Sequence, residues 1–229
     1  MTRVVLLRHG LTHLTGPVLA GWTPGLSLDE RGAKQAATVA ERLAGVPFAK
    51  IVTSPLERCA ETAAAVAGDR EVVTDERIGE CHYGDWTGKE IKTLAKDPLW
   101  PVVQVHPSAA QFPGGESMRD MQSRAVGAIR DWNSQLGDSA TWLAVSHGDV
   151  IKAIVADALG MHLDLFQRIQ VDPCSLTVIQ YTTMRPFLVR LNDVGGSTAD
   201  LMPPKGRRRR KASSDAVVGG GAGADPEIR

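Results

Sequence analysis

Val4-Val5-Leu6-Leu7-Arg8-His9-Gly10 and Trp142-Leu143-Ala144-Val145-Ser146-His147-Gly148 share one pattern. Each is a short apolar run, the profile of a strand buried on both faces, and each hands a histidine and then a glycine to the loop beyond its carboxyl end. Helical patterns lie between such runs. Ser27-Leu28-Asp29-Glu30 opens a helix that carries Ala33, Ala36, Ala37, Val39, Ala40 and Leu43 and is closed by Gly45 and Pro47. Ser54-Pro55 introduces an Ala-rich helix over 56–67 with proline in its first turn. A long helix over 116–136 sets Met118, Met121, Ala125, Ala128, Ile129 and Trp132 at helical spacing, which reads as a core face rather than a cofactor box. Another helix is expected over 149–159. Further strands are expected over 48–53, 71–74, 175–181 and 186–191, the last two as an edge hairpin, and the proline-containing stretch 77–115 reads as loop. Strands alternating with helices predict an α/β fold, a three-layer α/β/α sandwich around a mostly parallel sheet. Ligands of such sheets sit outside the carboxyl ends of the strands.

Composition narrows the function classes. The 229 residues, 43% of them hydrophobic, are material for one α/β domain. Cys59, Cys81 and Cys174 are odd in number and lack CxxC spacing, which argues against a disulfide framework or a zinc cluster and suits a reducing compartment. No apolar stretch approaches the roughly 18 residues needed to cross a bilayer. Arg8 and His9 also arrive before a signal-peptide core could form, so a cytoplasmic protein is expected. Of the 26 basic and 26 acidic residues, seven basic and three acidic ones lie beyond residue 200, leaving a mildly acidic body with a basic tail. That body does not suit nucleic acid, and no aromatic residue interleaves Arg207, Arg208, Arg209, Arg210 and Lys211, so this cluster reads as solvated tail. The expected boundaries are a folded domain over 1–193 and a disordered basic and Gly-rich tail over 194–229. The tail's Gly219-Gly220-Gly221 run lacks the strand and helix of a dinucleotide loop, and the 16–21 stretch has Trp22 where a phosphate loop needs lysine. With no HExxH and no Asp-rich calcium loop, neither metal nor cofactor is expected.

Arg8 stands directly before the first strand-end histidine, and Arg58 falls in the first turns of a helix that follows a strand. Two guanidinium forks and two imidazoles at one edge of a sheet suit a phosphoryl group, whose oxygens accept planar bidentate donors. His13, His82, His106 and His162 are isolated and read as structural or surface histidines.

Five separated elements resemble the histidine phosphatase superfamily, which includes the cofactor-dependent phosphoglycerate mutases. They are Leu7-Arg8-His9-Gly10-Leu11-Thr12, Leu26-Ser27-Leu28-Asp29-Glu30-Arg31-Gly32, Ser54-Pro55-Leu56-Glu57-Arg58-Cys59-Ala60-Glu61-Thr62-Ala63, Glu80-Cys81-His82-Tyr83-Gly84-Asp85-Trp86-Thr87-Gly88 and Val145-Ser146-His147-Gly148. They occur in the family's order and span about residues 3–192. The resemblance implies that His9 is the nucleophile that becomes a phosphohistidine, and that Arg8, Arg58 and His147 bind the phosphoryl oxygens and stabilise the transition state. It implies that Glu80 is the general acid and base, its pKa raised by apolar neighbours such as Trp86, and that Thr12 donates its hydroxyl to the phosphate. Gly114-Gly115-Glu116-Ser117 resembles a further family segment and reads either as a helix N-terminus facing the ligand or as plain helix capping. Leu11 and Thr15 depart from the mutase pattern, whereas Tyr83 matches it. No arginine occurs over 97–113, where mutases hold the substrate carboxylate. The resemblance therefore implies a metal-independent phosphomonoesterase acting on a small phosphorylated metabolite, with a phosphomutase or a non-catalytic phospholigand-binding protein as alternatives. No specific nucleic-acid partner is expected, and the sequence leaves open whether the chain forms a homodimer.

Overall fold

The computed structural model describes residues 1–196 and 218–221. Six strands form one sheet: β1 (Thr2–Arg8), β2 (Ile51–Thr53), β3 (Val72–Thr74), β4 (Thr141–Ser146), β5 (Leu176–Tyr181) and β6 (Pro186–Asp193), in the spatial order β3-β2-β4-β1-β5-β6. The first four are mutually parallel, while β5 runs antiparallel to β1 and forms the expected hairpin with β6. Because successive side chains point to opposite faces, β1 alone supplies both halves of the core. Val4 and Leu6 pack with Val52, Trp142 and Ala144 in one apolar cluster, and Val5 and Leu7 pack with Ile51, Leu143 and Val145 in the other.

Helices cover both faces. On the Val5 and Leu7 side lie α1 (Glu30–Leu43), capped by the Asp29 carboxylate, which accepts from the Gly32 amide at 2.8 Å, and α2 (Glu57–Ala67). The other face takes α5 (Met118–Leu136) and α6 (Gly148–Ala158), and Met118, Met121 and Ile129 are buried there as the helical spacing predicts. The Ser117 hydroxyl caps α5 by accepting from the Asp120 amide at 3.0 Å, which is the plain capping reading of the 114–117 segment.

Two expectations change. The 77–115 stretch contains two short helices, α3 (Ile91–Leu94) and α4 (Trp100–Val105), because Pro101 sits in the first turn of α4, where its missing N–H costs nothing. Trp86, Trp100 and Phe112 from this stretch join the core, with ring centroids 6.1 and 5.4 Å from Trp86. Proline also does not open α2: the helix starts at Glu57, and the Ser54 hydroxyl, 2.7 Å from His147 Nε2, accepts from the Leu56 amide at 3.3 Å, one residue ahead of the helix.

Truncating the fully buried Ile129 to alanine removes packing between α5 and the sheet. The expected loss is about 2–5 kcal/mol in a denaturant titration, and a loss below about 1 kcal/mol would contradict the packing described here.

Candidate active site

Three parallel strands end side by side. Leu7 of β1 and Thr53 of β2 are both in register with Val145 of β4, so Arg8 and His9, Ser54, and Ser146 and His147 leave the sheet at one level. Arg58 reaches the same place from the first turn of α2. The structure thus brings Arg8, His9, Thr12, Arg58 and Glu80 to the lining of one pocket, with His147 beneath it, its ring 5.2 Å from that of His9. All six are buried.

Hydrogen bonds fix the tautomers. His9 Nδ1 lies 2.7 Å from the Gly10 carbonyl, which only accepts, so Nδ1 carries the proton and Nε2 keeps its lone pair. Arg58 Nε donates to that lone pair at 3.2 Å. Arg58 Nη2 donates to the Gly21 carbonyl at 2.9 Å and to His147 Nδ1 at 3.2 Å. His147 therefore presents Nε2–H to the Ser54 hydroxyl at 2.7 Å. Arg8 Nη1 donates to the Val171 carbonyl at 2.8 Å. Two guanidinium nitrogens, Arg8 Nε and Arg58 Nη1, are buried N–H donors with no acceptor among the described residues. Buried donors left this way are costly, and an anion in the pocket is the natural acceptor.

Burial and the arginines govern the titrations. His9 and His147 are held well below the usual imidazole pKa, first by loss of water and then by the Arg58 charge, with Arg8 adding to both. Glu80 moves the other way, pushed up to about 7 chiefly by burial and then by the Asp149 carboxylate, against the pull of Arg58, the Cys81 amide and Arg8. The raised Glu80 agrees in direction with the sequence expectation, but burial and the Asp149 charge raise it, while Trp86 packs into the core. Burial lifts the Cys59 thiol to about 12, so although its sulfur lies 3.4 Å from His147 Nε2 it stays protonated.

Several side chains that the sequence reading did not assign hold this arrangement. Ser54 orients His147. The Glu80 carbonyl accepts from Trp22 Nε1 at 2.6 Å and from Arg124 Nη2 at 2.8 Å, and Arg124 is itself fixed by Glu116 at 2.6 Å. Tyr83, seen only as a mutase-like residue, donates its hydroxyl to the buried Asp149 at 2.9 Å. Asp149 directly follows His147-Gly148, the one sequence signal that could have singled it out. Gly10 and Gly32 let the His9 loop touch α1, because a Cβ on Gly10 would stand 2.6 Å from the Gly32 carbonyl oxygen. Thr12 is turned inward onto Thr15, their hydroxyls 2.9 Å apart.

Arg207, Arg208, Arg209, Arg210 and Lys211 lie outside the described residues. Val218, with Gly219 and Gly221 of the run that lacks the context of a dinucleotide loop, lines this same pocket. Among the described residues, no three His, Cys, Asp or Glu side chains gather as a metal site, and no helix is long and apolar enough to cross a membrane.

Comparison with known proteins agrees with the geometry. The sequence model described as histidine phosphatase superfamily (branch 1) matches residues 4–194. Phosphoserine phosphatase 1 of Hydrogenobacter thermophilus is 31% identical over 205 residues, covering 84% of this chain and 92% of the relative. A probable phosphoglycerate mutase of Cronobacter sakazakii is 29% identical over 185 residues, covering 79% of this chain and 86% of the relative. The crystal structure of a phosphoserine phosphatase mutant from Entamoeba histolytica in complex with phosphoserine superposes with a TM-score of 0.77 at 28% identity, covering 85% of this chain and 98% of that one.

The site electrostatics predict that His9 and His147 stay neutral through mild acid. Imidazole resonances followed by NMR should titrate with midpoints well below 6.5, and a midpoint at or above 6.5 for either ring would contradict the burial and the charges described.

Proposed function

The chain belongs to the histidine phosphatase superfamily, and from that premise we propose that it is a metal-independent phosphatase that transfers the phosphoryl group of a small phosphomonoester to His9 and then to water. The observation that carries this reading is the His9 Nε2 lone pair in a pocket with two unsatisfied guanidinium donors. In the first step Nε2 attacks phosphorus in line, the P–O ester bond breaks, and Glu80, protonated near neutral pH, gives its proton to the departing alkoxide. Arg8, Arg58, His147 and Thr12 are assigned to the phosphoryl oxygens, whose charge the two guanidinium groups offset. In the second step the Glu80 carboxylate takes a proton from water, the oxygen attacks the phosphohistidine, and the N–P electron pair returns to Nε2 as inorganic phosphate leaves.

Water is favoured over a second substrate hydroxyl as acceptor because Arg8 and Arg58, both committed to the phosphoryl group, are the only Lys or Arg side chains among the described residues lining the pocket. Nothing else there offers a cation to a substrate carboxylate, in line with the absence of arginine over 97–113. Mutase activity is the second reading, favoured by the mutase-named relative and by Tyr83 in the pocket. The printed names of the relatives support a small phosphorylated metabolite as substrate. Residues 1–193 are assigned as the catalytic unit, and the burial of Cys59, Cys81 and Cys174 suits the reducing cytoplasm.

Purified protein with EDTA present should hydrolyse p-nitrophenyl phosphate and a panel of alkyl phosphates, and His9→Ala should abolish turnover. Comparable turnover by His9→Ala would overturn the phosphohistidine route. Isomerisation of 3-phosphoglycerate exceeding hydrolysis, with 2,3-bisphosphoglycerate present, would replace phosphatase by mutase.

The elevated Glu80 pKa sets the pH dependence. Above about pH 7 Glu80 loses the proton that the leaving group needs, so kcat/KM for alkyl phosphates should fall as pH rises. Glu80→Gln should flatten that limb and cost about 10²–10⁴-fold on alkyl phosphates, with a smaller loss on p-nitrophenyl phosphate, whose phenolate leaves unaided. Equal losses on both substrates would remove Glu80 from the acid role.

A further inference from the structure

A piece of the chain's own C-terminus sits on the catalytic arginine. Arg8 Nη1 donates to the Gly220 carbonyl at 2.6 Å, and Nη2 reaches the Gly219 carbonyl at 3.4 Å. The Gly219 amide donates to Asp149 at 2.9 Å, and the Val218 side chain is buried in the main core cluster. Gly219, Gly220 and Gly221 all have positive φ, at 76, 79 and 54°. A Cβ on Gly220 would lie 3.0 Å from Gly148 Cα and 3.2 Å from Arg8 Cζ. The cleft between Arg8 and Gly148 therefore fits a backbone without side chains, and the 219–221 run supplies one.

We propose that this cleft is a binding site for the 218–221 segment and that the seated segment competes with the phosphoryl group for Arg8, making it an intramolecular inhibitor. The proposal rests on the phosphoryl site assigned above. A neutral carbonyl is a weaker acceptor for a guanidinium than a phosphate dianion, so phosphate displaces the segment once concentrated enough. Tethering offsets that weakness. Twenty-one residues separate Gly196 from Val218, up to ~70 Å of chain, which is ample reach, and a tethered segment competes at an effective concentration on the order of millimolar. The apparent affinity for phosphate falls by the fraction of molecules whose pocket is open.

The test compares full-length wild type with full-length Gly220→Val, whose side chain cannot fit beside Gly148. Inorganic phosphate is titrated into each by calorimetry, and amide hydrogen exchange of residues 218–221 is followed in the wild type. If the segment is seated nine-tenths of the time, Gly220→Val should bind phosphate about tenfold more tightly, and phosphate should strip protection from the wild-type segment. Unchanged or weaker binding by Gly220→Val, or protection that persists with phosphate bound, would make the segment a fixed wall and overturn the proposal. Unprotected amides without phosphate would overturn it as well. Failure of phosphate to bind either protein would overturn both this proposal and the phosphoryl site. Phosphate binding that follows the expected pattern in a protein that hydrolyses no ester would overturn the phosphatase reading alone and support the competition.

Discussion

Two arginine side chains buried side by side are the constraint to which the rest of the catalytic edge answers. Taking a guanidinium out of water costs several kcal/mol unless acceptors replace the lost hydration, and here Arg8 and Arg58 are each only 1% exposed. Arg8 is compensated by the Val171 and Gly220 carbonyls and by the charges of Asp149 and Asp172. Arg58 leans on the Gly21 carbonyl and on the lone pairs of two histidines. Neither set covers every donor, and the uncovered nitrogens, Arg8 Nε and Arg58 Nη1, belong to groups that face the pocket. A bound oxyanion would complete what the fold leaves incomplete, which is how a binding site for charge is prepaid during folding.

The same burial sorts the proton carriers. Desolvation drives imidazole and carboxyl groups alike toward their neutral forms, lowering the two histidines and raising Glu80. The arginines reinforce the first shift and oppose the second. Asp149 then matters out of proportion to its distance from any substrate, because its charge adds to burial in keeping Glu80 protonated. That carboxylate is itself fully buried and is held by Tyr83, Lys152 and the Gly219 amide. Neutral base and neutral acid at one pH are the pairing that nucleophilic attack with leaving-group protonation requires.

Much of this was legible in the sequence, for physical reasons that particular residues show. The strand-end histidines follow apolar runs buried on both faces, so their composition announces them, and the strand over 141–146 is found at those residues. Met118, Met121 and Ile129 declare a buried helix face by spacing alone. The resemblance singled out Arg8, His9, Thr12, Arg58, Glu80 and His147, which converge as geometry. Ser54, Trp22, Arg124 and Asp149 were not legible because each acts through a contact distant in sequence, 93 residues from Ser54 to His147 and 58 from Trp22 to Glu80. The short helices α3 and α4 were hidden by prolines, which mark both loops and first helical turns. The place of Gly219 and Gly221 in the pocket is not legible, because glycine-rich composition is what a solvated tail and a close-fitting backbone segment have in common.

Register finally decides whether these residues make a site at all. Side chains alternate across a sheet, so a slip of one residue between β1 and β4 would exchange the faces of Val4 and Leu6 with those of Val5 and Leu7, and would move His9 relative to His147 by a full residue. The pairing of Leu7 with Val145, and of Val145 with Thr53, is enforced by two separate apolar layers that must both fill. The packing that stabilises the sheet is therefore also what places two imidazoles 5.2 Å apart at its edge. Loops alone could not hold that spacing, since the ladder bond from the His9 amide to the Ser146 carbonyl, 3.0 Å long, ties the nucleophile to the strand that carries its partner.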